Sequence, residues 1–343
     1  MIKTRNIAFL LLTLFILSAC SGQNVADQDP DAINFRTGSL GYELRFQENL
    51  PDTLVEGEEV DIILELRNRG AFPQADERTE SKGFIYFGGY DPNLVRISND
   101  DSFDVLSDPI RFGGDQDREL EGKSPYDAQG GFKAIDLRIE SLDGGRLSEG
   151  VSSYRPHIKA SMLYQYKTIA SPSLCVDPNP RTTNAREKTC DFTESLGLST
   201  QGAPVAVTRV EQSVTKDDII YKIFVRNVGI GRVIDPDFVD FGLDFDPFSE
   251  GFSQSDLDKI RVGEVRLGTL IMSECRPAVD NKLRLIDEEA TIFCRISKGS
   301  NIQRTFEAPL EINLEYSYFE SVEAQIEFLP EIEFSSPKEE VEP

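Results

Sequence analysis

The chain is short of the residues that most protein chemistry needs. It has one histidine in 343 residues and no tryptophan. Imidazole is the usual general base near neutral pH and the commonest metal ligand, so a lone His157 argues against acid–base and histidine-metal designs. The sequences Gly-x-Ser-x-Gly, His-Glu-x-x-His, Gly-x-Gly-x-x-Gly and the phosphate-loop pattern are all missing. Ser213-Val214-Thr215-Lys216 has Ser-x-x-Lys spacing. The companion Ser-Asp-Asn and Lys-Thr-Gly motifs do not occur, and the stretch reads as the end of a strand. Positive charge is scarce as well: 36 Lys and Arg stand against 60 Asp and Glu, a net charge of −24. Such a surface repels phosphate, so no nucleic-acid partner is expected. Asn-x-Ser/Thr is absent, so N-glycosylation is not expected either.

Long apolar runs are missing with one exception. After Lys3 and Arg5, residues 7–17 are apolar but for Thr13, too short to span a bilayer and of the length of a signal-peptide core. The run ends in Leu17-Ser18-Ala19-Cys20, which resembles the lipobox of secreted lipoproteins. That resemblance implies cleavage after residue 19 and a lipid on Cys20; cleavage of an ordinary secretory peptide near Ala19 and an uncleaved anchor are the alternatives. Two acyl chains hold a protein on a membrane durably. Residues 20–38 are polar and without period, the composition of a flexible tether with a reach of roughly 25 Å.

Five cysteines leave four once Cys20 is set aside. Cys175 with Cys190 and Cys275 with Cys294 are each close in sequence, so two disulfides in that connectivity are expected, as suits an exported chain. The other two connectivities remain open, as does a four-thiolate zinc site, although no Cys-x-x-Cys pair is present.

The body alternates with period 2 and shows no helical period longer than two turns. Asp61 to Arg67 puts Ile62, Leu64 and Leu66 on one face. Residues 41–46, 83–90, 132–139 and 154–170 read the same way, and so do 205–214, 219–228, 262–268, 283–296, 306–318 and 322–329. Residues 253–257 have room for one helical turn. Short strands broken by turn residues every 8 to 15 positions predict an all-β fold of β-sandwiches.

Two landmarks repeat. Leu64-Glu65-Leu66-Arg67-Asn68-Arg69-Gly70 returns as Ile223-Phe224-Val225-Arg226-Asn227-Val228-Gly229, at an offset of 159 (227 − 68). Tyr164-Gln165-Tyr166 returns as Tyr316-Ser317-Tyr318, at an offset of 152 (316 − 164). The same order and nearly the same spacing predict a duplicated domain, at 39–170 and 205–334. A Pro-containing connector at 171–204, stapled by Cys175 and Cys190, and an acidic tail at 335–343 complete the chain. Asn68, Gly70, Asn227 and Gly229 read as structural turns, with glycine supplying positive φ.

One acidic cluster is a candidate ligand set. Asp235, Asp237, Asp240, Asp244 and Asp246 place hard oxygens on one loop, the chemistry of calcium, though without the Gly and closing Glu of an EF-hand. Asn99-Asp100-Asp101 with Asp104 forms a second acidic loop. Solvated loops are the plain alternative for both, and no other cofactor is expected.

The paired strand endings Arg67-Asn68-Arg69-Gly70 and Arg226-Asn227-Val228-Gly229 resemble the CARDB-like β-sandwich domains of bacterial and archaeal surface proteins. With Tyr-x-Tyr and Cys175-Val176-Asp177-Pro178, the whole is similar to uncharacterised secreted archaeal proteins. The resemblance implies two tandem immunoglobulin-like domains and an exterior location, with no active site. The expectation is therefore a non-catalytic surface lipoprotein, held by its lipid and partnered by other surface or envelope proteins. A subunit of a surface filament or envelope complex is the first alternative. A carbohydrate-binding accessory module, with Tyr86, Tyr90, Tyr164 and Tyr166 as aromatic platforms, is the second.

Overall fold

The structure is a computed structural model that describes residues 35–331 apart from 49, 78–80, 100–103, 143–150, 183–187, 239–250, 273, 278–279 and 300–301. The leader, Cys20, most of the tether and the acidic tail lie outside the described residues. Residues from Phe35 onward belong to one compact unit. No α-helix occurs among the described residues, which form strands with two short 3-10 turns at Gly114–Gln116 and Arg118–Leu120.

The first half contributes β1 (Tyr42–Phe46), β2 (Thr53–Val55), β3 (Glu59–Asn68), β4 (Lys82–Gly88), β5 (Val95–Asn99), β6 (Ile110–Gly113), β7 (Phe132–Ser141) and β8 (His157–Ala170). Then come β9 (Ser173–Val176), β10 (Ser195–Gly197), β11 (Val205–Val214), β12 (Asp218–Asn227), β13 (Arg232–Ile234), β14 (Lys259–Leu267) and β15 (Leu270–Ile271). The chain closes with β16 (Glu274–Arg276), β17 (Lys282–Arg284), β18 (Glu289–Ser297), β19 (Phe306–Gln325) and β20 (Glu327–Leu329). Strand formation follows the alternation. On β3 the buried residues are Ile62, Leu64, Leu66 and Asn68; on β7 they are Ile135, Leu137, Ile139 and Ser141, with Ala134, Asp136 and Arg138 facing water.

Two smaller sheets, ordered β1-β3-β7-β5 and β10-β11-β12-β18-β16, belong one to each half. The third sheet crosses both halves in the order β15-β14-β19-β8-β4-β6. One apolar core runs through all three without interruption. The expectation of domains in series thus meets a different arrangement: the halves lie side by side and share a sheet. The shared ladder is antiparallel and centred on Gln165↔Ser317. It reaches Tyr154↔Phe328 on one side and Val176↔Phe306 on the other, 11 residues from the centre in each direction (165 − 154; 176 − 165). Gln165 and Ser317 are also related by the 152-residue offset of the repeat, so the ladder is self-complementary, like the interface of a two-fold dimer.

Three further differences have plain physical causes. Residues 171–204 are not only a connector: β9 continues the ladder along β19, β10 adds to β11, and Leu174 and Val176 are buried. Residues 283–296 are not one strand. Asp287 and Glu288 sit at φ 51° and 66° and turn the chain between Ile286 and Glu289 without the Asn or Gly that normally signals such a turn. Residues 253–257 form a hydrogen-bonded turn, Asp256 N to Ser253 O at 3.0 Å, which leads into an isolated bridge of Leu257 to Ile234.

The last strand crosses back. β20 pairs in parallel with β2, Leu54 opposite Phe328, so the end of the described chain is built into its beginning. With ladder, core and closing strand shared, the halves are expected to melt together. Urea unfolding followed by tyrosine fluorescence and by far-ultraviolet dichroism should give one coincident transition; two separated transitions would contradict the shared core.

Candidate functional site

The repeated motifs meet in space. At the first corner, β3 ends in Asn68, whose Oδ1 accepts from Gly70 N (3.1 Å) and from the Tyr166 hydroxyl (3.2 Å). Its Nδ2 donates to the carbonyls of Phe72 (2.8 Å) and Leu120 (2.9 Å), and Phe72 N donates back to the Tyr166 oxygen (3.3 Å). The second corner repeats this around β12. Asn227 Oδ1 accepts from Gly229 N (3.3 Å) and the Tyr318 hydroxyl (3.1 Å), Asn227 Nδ2 donates to Gly231 O (2.9 Å), and Gly231 N donates to the Tyr318 oxygen (2.8 Å). Each corner therefore ties the strand of a smaller sheet to the Tyr-x-Tyr strand of the shared sheet. Both asparagines are buried, and a buried amide without partners is costly, so each is held in one orientation.

The glycines have a different role from the one expected. Neither Gly70 nor Gly229 has positive φ. A Cβ on Gly70 would overlap the Tyr166 hydroxyl, and one on Gly229 the Tyr318 hydroxyl. The requirement is close approach of a side chain, not backbone handedness.

Along the shared ladder the tyrosines stack. Tyr164 lies opposite Tyr318 (ring centroids 5.8 Å apart) and Tyr166 opposite Tyr316 (6.4 Å), and Tyr42 packs edge-on to Tyr164 (5.1 Å). Burial pushes the phenols of all five well above their ordinary range. Tyr164 and Tyr166 are thus core residues and offer no platform for a sugar; Tyr86 is buried too, at the edge of a cleft of about 390 Å³ shared with Leu106, Pro109 and Phe319.

The stack is not symmetric in its polar partners. The Tyr316 hydroxyl bonds to Thr168 Oγ1 (2.9 Å) and accepts from Val205 N (3.3 Å). Glu320 stands at the position of Thr168, at the 152-residue offset, and the Tyr164 hydroxyl has no hydrogen-bond partner among the described residues. Burial and then the charge of Glu43 push the half-buried Glu320 carboxyl up to about 8.

The calcium candidates separate. Asp235 and Asp237 are described; Asp240, Asp244 and Asp246 lie outside the described residues, as do Asp100 and Asp101. Asp235 is buried and accepts from Lys282 Nζ (2.6 Å) and Lys259 Nζ (3.2 Å), while Asp237 meets Lys282 (2.8 Å) and Arg261, which also reaches Glu315 (3.2 Å). Burial would raise the Asp235 carboxyl, but the hydrogen bonds from Lys282, Asp237 N and Lys259 outweigh it and hold it below the usual range. Three carboxylates and three cations close on one another and pin the 235–238 turn to β14 and β17. Asp104 Oδ1 accepts from Leu106 N (2.9 Å) as a turn residue. No group of three or more metal-ligating side chains is gathered among the described residues. His157 is exposed beside Glu323 (3.6 Å). Cys175–Cys190 and Cys275–Cys294 are disulfides, the latter cross-strand between β16 and β18. Closing the 15-residue loop of the former stabilises by about 3 kcal/mol in the loop-entropy view. No helix of the described residues is long and apolar enough to cross a membrane.

No family model matches the chain, so the likeness to CARDB-like domains rests on the quoted residues alone. No curated protein matches it. Among solved structures, BspA_C_WT aligns at 7% identity over 84% of this chain and 99% of that one, with a TM-score of 0.17. The C-terminal domain of the Streptococcus pyogenes antigen I/II-family protein AspA aligns at 6% identity over 85% and 100%, with a TM-score of 0.18. Likeness at that level carries no argument about this chain.

Two outcomes follow from the corners and the stack. Asn68→Ala removes four hydrogen bonds and Asn227→Ala three, of which the Tyr166 hydroxyl keeps Gly202 O and Gly229 N keeps Pro204 O, so the first should destabilise by about 3 kcal/mol and the second by about 2 kcal/mol in urea titrations; equal or negligible losses would contradict the assigned bonds. Between the ordinary glutamate range and about pH 8, the folded chain keeps on Glu320 a proton that the unfolded chain has released. Stability should therefore fall as pH rises through that window, and Glu320→Gln should flatten the fall in a urea series from about pH 5 to about pH 9.

Proposed function

We propose that the protein is an exported, membrane-tethered module that binds or supports a protein partner and performs no chemistry of its own. The observation that carries the reading is the use made of the repeated polar motif. Asn68 with Tyr166, and Asn227 with Tyr318, satisfy backbone groups of their own corners, so the side chains that stood out in the sequence are engaged in holding sheets together. Two disulfides support an oxidising compartment. The charged start, short apolar run and Leu17-Ser18-Ala19-Cys20 support a lipid on Cys20. We read residues 39–170 and 205–334 as copies of one immunoglobulin-like unit, supported by the matching corners and the centred ladder. The partner in this reading is another surface or envelope protein. A calcium role for the 235–246 loop would require the ion to displace Lys282 and Lys259 from Asp235.

Metabolic labelling with a palmitate analogue tests the tether. The wild-type chain should take up label and sediment with membranes, and Cys20→Ser should lose both. An unlabelled, freely soluble wild-type chain would overturn the reading.

A further inference from the structure

The two corners are unequally filled. At the first, both Nδ2 hydrogens of Asn68 are used, the second by the carbonyl of Leu120. Leu120 arrives on a segment of the chain that docks along the corner. Gly122 N donates to Pro73 O (2.8 Å), Lys123 N to Gly70 O (2.7 Å), and the Leu120 side chain is 1% exposed. At the second corner Asn227 Nδ2 has Gly231 O alone, and no other acceptor reaches it among the described residues. Asn227 is 5% exposed, so this spare donor is a buried one. Gly231 occupies the position of Phe72, at the 159-residue offset, and the place of a side chain there is taken by Phe319 O and the Tyr318 ring. What remains is a cleft of about 640 Å³ bounded by Asn227, Gly231, Leu285, Glu288, Phe319 and Glu320.

The cleft is mainly acidic and has an apolar rim. Asp258, Asp287, Glu288 and Glu320 line it against the single cation Arg232, which already pairs with Asp258 at 3.1 Å. Ile230 is 86% exposed on its edge, and Ile286, 73% exposed, stands on the turn that carries Asp287 and Glu288.

We propose that this cleft docks an extended segment of a partner polypeptide whose central apolar side chain is flanked by Lys or Arg. A backbone carbonyl of that segment takes the second amide hydrogen of Asn227, as Leu120 does for Asn68. The apolar side chain lies in the cleft beside Leu285 and Phe319, and the flanking cations meet Asp287 and Glu288. Unpaired acids on a half-buried surface favour a cationic occupant, and the exposed isoleucines favour one with apolar character. The proposal rests on the reading of the protein as a binding module and names the site of binding.

The test uses the purified full-length protein and a fluorescein-labelled hexapeptide with Lys-Leu-Lys at its centre, followed by fluorescence anisotropy. Saturable binding is expected. The double variant Asp287→Lys with Glu288→Lys, on an exposed turn, should weaken it at least about tenfold, while Asp136→Lys on the exposed face of β7 should change it less than about twofold. A Lys-Ser-Lys peptide should bind about tenfold more weakly than Lys-Leu-Lys. In protein labelled with 15N-asparagine, the Asn227 side-chain amide resonance should move on titration. Absence of saturable binding up to about 1 mM, equal weakening by Asp136→Lys, or an unmoved Asn227 amide would overturn the proposal. Each of those results leaves the lipid tether standing, because the palmitate label on Cys20 is read independently of the peptide.

Discussion

The pairing of β8 with β19 is the constraint on which the rest of the molecule depends. It joins the two halves edge to edge, and its centre at Gln165↔Ser317 relates each Tyr-x-Tyr to the other. Because the ladder is antiparallel and self-complementary, whatever one half contributes to the shared sheet the other contributes in reverse. β9 continues the ladder at one end, and Tyr154↔Phe328 marks the other. A backbone ladder of this kind satisfies donors and acceptors that would otherwise form two open sheet edges inside the protein. It also brings the tyrosines into a stack too well buried to act on anything outside the fold.

The corners lock the other two sheets onto that ladder. A strand in a smaller sheet ends in asparagine, the chain turns through a glycine, and a tyrosine from the shared sheet enters the space that the glycine leaves open. The amide reads both backbone and phenol, so a one-residue slip of either sheet would break several bonds together. This accounts for the strict spacing of a motif that carries no chemistry. It also makes departures from symmetry informative. Leu120 takes the second amide hydrogen of Asn68, whereas Asn227 has no such acceptor among the described residues; Thr168 satisfies Tyr316, whereas Glu320 faces Tyr164.

Much of this was legible before the structure. Alternation marked β3, β7, β8 and β12, and cysteine proximity paired Cys175 with Cys190 and Cys275 with Cys294. Other features had no local signature. The Asp287–Glu288 turn lacks the glycine that most plainly announces positive φ. The lysines that neutralise Asp235 lie 24 and 47 residues further along the chain (259 − 235; 282 − 235), so a loop read in isolation looks like an open oxygen cage. Gly70 and Gly229 looked like handedness residues because the hydroxyl that excludes a side chain comes from a distant strand.

The sequence by itself determined the all-β class and the repeated motifs, because period-2 alternation and self-similarity are properties of the chain read linearly; the structure chose among the thiol pairings that the sequence left open. Only the tertiary structure decided that the halves stand side by side and not in series. It also decided which carboxylates are already paired, and that the two matching corners differ in what their asparagines bond. Those outcomes depend on strand register and on contacts between residues distant in sequence, where no local pattern carries information.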